Sequence, residues 1–371
     1  MKKILLAALA TTAVAGVAHA GTINLDLRGD MNGSNFSDEA NRPDYYKYYI
    51  QTGRLDYKNQ LNDETGFRLR WRFAGKDQTT VTKRDSTNQT LDFAYVTQKL
   101  GTNLLLTIGK FGADIGAYEG AANGADLYFL SEAYGGTSYI KPPTGEDSLT
   151  GFGTELYYTG AKLSFQFADQ EINIQTANSD TAVGRNVAAA NNGDMNDVTS
   201  GSSQFAQNKT LSALVYKGAF IDKMLGVMAS YHYENLSEEK KANYLAAGVQ
   251  FKSESWLASL EYMLNTYDDQ VATVDVTDKL ESWVANFRYT FGDSWTPLVK
   301  VVASKETIDN GPTNKFLDFG VALEYKPAKD SIYRYHVAYN NRTLDSDKDS
   351  IDGANLQEII LGVRIYSDFV K

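Results

Sequence analysis

Hydrophobic and polar positions alternate one by one along much of the chain, most sharply in Phe67-Arg68-Leu69-Arg70-Trp71-Arg72-Phe73. Successive side chains of a strand point to opposite faces, so this segment has one apolar face and one arginine face. The same period recurs at the start, where Ile23, Leu25 and Leu27 alternate with Asn24, Asp26 and Arg28. Farther on, Trp283, Ala285, Phe287 and Tyr289 oppose Ser282, Asn286 and Arg288, and Leu317, Phe319, Val321, Leu323 and Tyr325 oppose Asp318, Gly320 and Glu324. Phe152, Thr154, Leu156 and Tyr158 read in the same way as one face of a strand.

Sixteen segments carry this pattern. They are Thr22–Met31, Tyr45–Lys58, Gly66–Ala74, Thr90–Lys99, Asn103–Phe111, Thr150–Tyr158, Lys162–Ala168, Lys209–Lys217, Leu225–Glu234, Asn243–Lys252, Ser255–Leu264, Leu280–Tyr289, Trp295–Ser304, Lys315–Tyr325, Ile332–Tyr339 and Leu356–Tyr366. In the second, Tyr46, Tyr48 and Ile50 keep one phase and Leu55 and Tyr57 the other. A bulge at Gly53 would shift the phase and turn Arg54 to the same side as the arginine face.

The intervals sort by length. Connections after even-numbered segments are brief, such as 100–102, 159–161 and 253–254. Those after odd-numbered segments are longer and more polar, chiefly 75–89, 112–149, 169–208 and 265–279. Short turns at one end and long loops at the other, over an even number of strands, describe an all-β, 16-stranded antiparallel transmembrane β-barrel. A soluble sandwich has no reason to sort its connections so. In a membrane barrel the apolar face meets lipid and the polar face lines the lumen. Aromatic residues near strand ends (Tyr45, Tyr46, Tyr158, Trp256, Tyr289, Trp295, Tyr325) fit the interfacial girdles of such a barrel.

Composition agrees with an all-β chain: 24 Tyr and 17 Phe against 6 Pro, with no Cys. A net charge of −10 offers no basic surface for nucleic acid. Lys2 and Lys3, the uncharged run Ile4–Val17, and Ala18-His19-Ala20 before Gly21 have the three parts of a secretory signal peptide. Residues 1–20 are therefore expected to be removed, leaving 21–371 as one barrel domain. No later apolar stretch approaches the ~20 residues of a spanning helix.

Sixteen strands with a long connection after the fifth resemble the general porins of Gram-negative outer membranes. Ile108-Gly109-Lys110-Phe111 is similar to the glycine-basic strand end before that family's constriction loop. Arg54-Leu55, the Phe67–Phe73 segment and Phe93-Ala94-Tyr95-Val96 also resemble the phosphate-selective porins of the O/P type. The resemblance implies a homotrimer in outer-membrane lipid and lipopolysaccharide, passing small hydrophilic solutes and ions without cofactor or catalysis. It also implies that Gly112–Leu149 folds inward as a constriction loop. On one wall Arg28, Arg54, Arg68, Arg70 and Arg72 are the expected pore-lining bases, with Arg68 to Arg72 rising over about 13 Å. On the other, Asp114, Glu119, Asp126 and Glu132 are the expected loop acids, and a field between them would orient dipolar solutes.

Arg288, Lys300 and Arg334 are further inward bases, balanced by Glu155, Glu261, Asp318 and Glu324, which points to weak selectivity. A channel specific for phosphate or another anion is one alternative; a surface adhesin or receptor using 169–208 is another. Asp345, Asp347 and Asp349 have calcium-loop spacing, but Ser350 and Leu356 replace the glycine and glutamate such a loop needs, so a solvated acidic loop is the better reading. His19, His232 and His336 have neither zinc nor triad spacing, and no Ser-His or acid-His pair supports an enzyme.

Overall fold

The computed structural model describes residues 21–37, 44–75, 90–137, 148–149, 151–152, 156–178, 185–186, 210–235, 240–271, 274–348 and 352–370. The export segment read over 1–20 lies outside them, as do Glu155 and Asp349. Sixteen strands close into one antiparallel barrel: β1 Thr22–Phe36, β2 Tyr45–Gln60, β3 Thr65–Gly75, β4 Thr90–Lys99, β5 Leu104–Gly112, β6 Tyr157–Phe167, β7 Gln170–Asn178, β8 Thr210–Phe220, β9 Leu225–Asn235, β10 Lys240–Lys252, β11 Trp256–Val271, β12 Val274–Tyr289, β13 Trp295–Thr307, β14 Thr313–Tyr325, β15 Tyr333–Ser346 and β16 Asn355–Val370. Each strand pairs with its sequence neighbours, and β1 closes the ring on β16 from Ile23↔Val370 to Phe36↔Leu356. A closed ring leaves no unpaired edge, which a lipid environment requires. A two-residue ladder outside the ring joins Ser148–Leu149 to Arg185–Asn186.

The outward face is the apolar one. Leu317, Phe319, Ile359, Leu361, Trp283 and Phe287 are all exposed there. At the short-turn end Trp295 packs on Tyr325 with ring centroids 4.4 Å apart, and Phe251 stacks on Trp256 at 5.4 Å. Toward the other end Tyr262 meets Trp283 at 4.8 Å. Trp283 and Tyr289 are six residues apart on β12, about 20 Å along the strand, close to the ~25 Å apolar band of such barrels.

Three expectations about the strands change. The sixth and seventh strands are Tyr157–Phe167 and Gln170–Asn178, not Thr150–Tyr158 and Lys162–Ala168. The presumed turn Thr159-Gly160-Ala161 is the middle of β6, and the true turn is at Ala168, whose φ is +52°. Gly160 is needed for close approach instead: a Cβ there would lie within contact distance of the Thr176 carbonyl and 2.7 Å from the Ala177 Cβ. The fifth connection thus runs over 113–156, and Phe152 and Tyr158 are buried inside the barrel rather than turned to lipid.

The connection read over 265–279 shrinks to 272–273, because β11 and β12 stay paired from Trp256↔Tyr289 to Val271↔Val274. Past Trp283 the outward positions become Glu281 and Lys279, and neighbouring strands carry Lys305 and Lys315. Apolar alternation stops where lipid stops; backbone pairing does not. The phase shift in β2 is real, with the extra residue at Gln51, skipped where Arg28↔Thr52 is followed by Gly29↔Ile50. The irregularity at Gly53 is in the pairing with β3, where Gly53↔Ala74 is followed by Arg54↔Arg72 and Phe73 is skipped.

Candidate functional site: an arginine wall and the segment inside the barrel

The inward face of β2 to β4 is an arginine cluster. Arg54, Arg70 and Arg72 lie 3.5, 3.3 and 3.1 Å from the carboxylate of Asp92. Arg68 donates through Nε to Asp56 at 2.9 Å. Arg70 also donates to the Tyr157 hydroxyl at 2.6 Å and stands 3.8 Å over the Phe93 ring, with Arg68 at 4.2 Å from the same ring. Four permanent cations thus face two carboxylates. Arg72 and Arg68 keep 29% and 22% side-chain exposure, so this wall meets solvent inside the ring.

Asp92 was not among the residues that strand alternation singles out. It sits in a bulge: Arg70 pairs with Phe93 and Trp71 with Leu91, leaving Asp92 unpaired. A bulge re-aims one side chain against the period. Here it turns Asp92 inward beside Phe93 and makes it 2% exposed.

Residues 113–137 leave β5 and cross the interior. The path contains helix α1 (Tyr118–Ala121), a 3₁₀ turn over Gly124–Asp126, and helix α2 (Glu132–Gly135), started by the Ser131 side chain accepting from the Tyr134 amide at 3.3 Å. Gly116 takes φ +84°, and a Cβ on Gly120 would strike the Ile115 carbonyl, so both glycines are required by the tight path. On one side His232 of β9 contacts the Ala113 carbonyl at 2.7 Å, Ser230 donates to the Gly116 carbonyl at 2.8 Å, and Asn265 of β11 donates to the Ala133 carbonyl at 2.8 Å. On the other, Arg28 of β1 donates to the carbonyls of Ala125 and Leu127 at 3.0 and 2.9 Å, and Arg54 donates to the Asn123 side chain at 2.9 Å. Arg28 is 2% exposed and ion-paired with Asp30, so it anchors the segment rather than facing solvent.

The four expected acids are all on this path, each paired away from the β3 arginines. Asp114 meets Lys217 at 2.9 Å and Lys162 at 3.3 Å. Glu119 pairs with Lys300 and accepts from the Ser131 amide at 3.0 Å. Asp126 is gripped by Arg334 and Arg364. Glu132 lies 3.2 Å from Arg342, which also pairs with Asp318 at 2.6 Å. Their charges fasten the segment to the barrel wall. Asp345 pairs with Lys315 at 3.6 Å, and among the described residues no group of acids and histidines is arranged to hold a metal ion.

Between the segment and β6 to β13 lies a dry core. Ala113, Ile115, Ala133, Tyr134 and Phe152 pack on inward-facing Leu211, Tyr244, Met263, Leu280 and Val284. Leu211, Met263 and Leu280 are completely buried, in contrast to the arginines opposite. Burying side chains of this size contributes about 1.5–3 kcal/mol each. The barrel interior is therefore asymmetric, with apolar filling against one wall and charged, solvent-touching residues on the other.

Burial works to raise the carboxyls of Asp114 and Asp126. Lys217 and Lys162 outweigh it for the first, Arg364 and Arg334 for the second, and both are held below the usual carboxylate range. A depressed folded value gives stabilisation that is present above the unfolded value near 3.9 and lost as pH falls through the folded value. The protection of amides 113–127, taken relative to the intrinsic exchange rate at each pH, is thus expected to stay constant from pH 8 to pH 5. It should begin to fall only below about pH 4. A loss of protection already near pH 6 would contradict this tethering.

No protein-family model matches the sequence, and neither does any curated protein sequence. Solved structures do match. The anion-selective porin from Comamonas acidovorans superposes with a TM-score of 0.63 over 94% of this chain and 99% of its own, at 9% identity. The outer membrane channel DcaP of Acinetobacter baumannii gives 0.59 over 94% and 97%, at 14% identity. OmpT of Vibrio cholerae, in its trimer form, gives 0.61 over 94% and 100%, at 13% identity. Likeness at these identities is likeness of fold: the chain has the closed sixteen-stranded fold of the outer-membrane porins.

Proposed function

We propose that the protein is an outer-membrane channel through which small hydrophilic solutes and ions diffuse, with a modest preference for anions. The observation that carries this reading is the arginine wall, where one bulged carboxylate serves three guanidiniums and where Arg72 and Arg68 touch solvent. The segment over 113–137 narrows the water path by filling the opposite side, so solutes pass along the cationic wall. A water path, a narrow point and a field across it are what a diffusion channel needs. Arg54, Arg68, Arg70 and Arg72 line the path; Arg28 and the four acids hold the segment in place. Export through residues 1–20 and a homotrimer set in lipid and lipopolysaccharide complete the reading. The trimer form of the Vibrio cholerae OmpT structure supports the homotrimer, and the outward apolar band supports the lipid setting.

Planar-bilayer recordings of the refolded protein in a potassium chloride gradient test it. Stable single-channel steps are expected, with a reversal potential displaced to the chloride side. A barrel that inserts and carries no current would favour the adhesin or receptor alternative; a clear potassium preference would remove the role given to the arginine wall.

A further inference from the structure

A cavity of about 230 Å³ lies on the long-loop side of residues 124–130, enclosed by β1, β2, β15 and β16. Asn340 of β15 lines it. This side chain is 1% exposed, yet neither its carbonyl oxygen nor its amide nitrogen has a hydrogen-bond partner. A buried carboxamide with both ends unmade is costly unless something in the cavity completes it.

The remaining lining narrows what that is. Arg28 is committed to Asp30 and to two backbone carbonyls of the segment. Arg342 is committed to Asp318, Glu132 and the Leu130 carbonyl. The cavity therefore presents committed cations together with a carboxylate, that of Glu358. One Glu358 oxygen accepts long bonds from Asn32 and Ser34 at 3.3 and 3.5 Å, which leaves acceptor capacity on the carboxylate. A free anion is disfavoured there. Tyr49 and Tyr134 add ring surface.

We propose that this cavity is a binding site for a neutral, polyhydroxylated ring of the size of one hexose. A carboxamide offers one donor and one acceptor side by side, and two vicinal hydroxyls match it: one accepts from Nδ2 while its neighbour donates to Oδ1. A third hydroxyl donates to Glu358, and the C–H face of the ring rests on tyrosine. The site goes beyond the channel reading, because it selects a neutral solute where the arginine wall acts on charged ones.

Titration of the refolded barrel in detergent with glucose, followed by saturation-transfer NMR, tests the proposal without requiring conduction. Saturable binding in the millimolar range is expected. Asn340→Leu should weaken it at least tenfold, the loss of two hydrogen bonds to a desolvated group. Glu358→Gln should weaken it less, and Arg72→Gln should leave it unchanged. Because Asn340→Leu alters a buried position, Asn340→Asp is the second variant: it keeps the shape, removes the donor, and should also weaken binding. Absence of saturable glucose binding by the native chain overturns the proposal, as does undiminished binding by folded Asn340→Leu or Asn340→Asp. A barrel that binds glucose but carries no current would overturn the channel reading and leave this site standing.

Discussion

Replacing Asp92 with asparagine is expected to raise the anion preference of the channel about fivefold, the effect of one unit charge acting at ~4 Å in water. Asp92 is the single carboxylate that Arg54, Arg70 and Arg72 share, all within 3.5 Å. The amide has nearly the same shape and still accepts a hydrogen bond, so the change is almost purely electrostatic. The arginines keep other holds: Arg54 on the Asn123 side chain, Arg70 on Tyr157 and Phe93. The wall should therefore stay in place while its net charge rises. Reversal potentials across a salt gradient read the change directly, and Asp92→Glu, which keeps the charge, should stay close to wild type. The shift should also shrink as salt rises, since the path is wet and screening is effective there. An Asp92→Asn channel as selective as wild type would mean that permeating ions do not pass this wall.

The barrel was legible in the sequence because lipid imposes its own period on the chain. Every strand crossing the apolar band must show grease on alternate residues, and Phe67–Phe73 or Leu317–Tyr325 could hardly read otherwise. What escaped lies where a different environment sets the rule. Above the band, β11 and β12 continue as strands with charged outward residues such as Glu281 and Lys279, so the apolar signal ends before the strand does.

On β8 to β13 the inward positions Leu211, Met263, Leu280 and Val302 are apolar, because they pack on residues 113–137 instead of facing water. No local pattern announces a partner so distant in sequence. Asp92 was hidden by its bulge, and Gly160 read as a turn although its role is backbone proximity. The loop acids were found as residues, but the groups they would meet depend on which strands face them across the lumen. Only the closed ring decides that, and it gives them lysines and arginines of β6, β8, β13, β15 and β16.

Gly320→Leu is expected to lower single-channel conductance and to destabilise the barrel by roughly 1–3 kcal/mol, the usual cost of overfilling a packed site. Gly320 faces inward on β14, and a Cβ there would run into the ring of Phe129. That ring is buried in a cluster with Tyr128, Leu298, Ala322, Ala338 and Ile360. The same stretch is tied to the wall by Lys300, which donates to the Phe129 carbonyl at 3.0 Å, and by the Tyr128 hydroxyl, which donates to Glu324 at 2.7 Å. A leucine at 320 takes the space of the ring, so residues 127–131 must lift off β13 to β15. The direction open to them is toward the arginine wall, where the water path runs. Shortening the ring should undo this: Gly320→Leu combined with Phe129→Ala is expected to recover most of the conductance and stability, although Phe129→Ala alone leaves a cavity and destabilises. The pair therefore forms a double-mutant cycle with favourable coupling between the two substitutions, read by conductance and by the temperature at which the barrel unfolds on a gel. Additive effects, or wild-type conductance for Gly320→Leu alone, would show that Phe129 does not seat the segment and that the narrowing is set elsewhere.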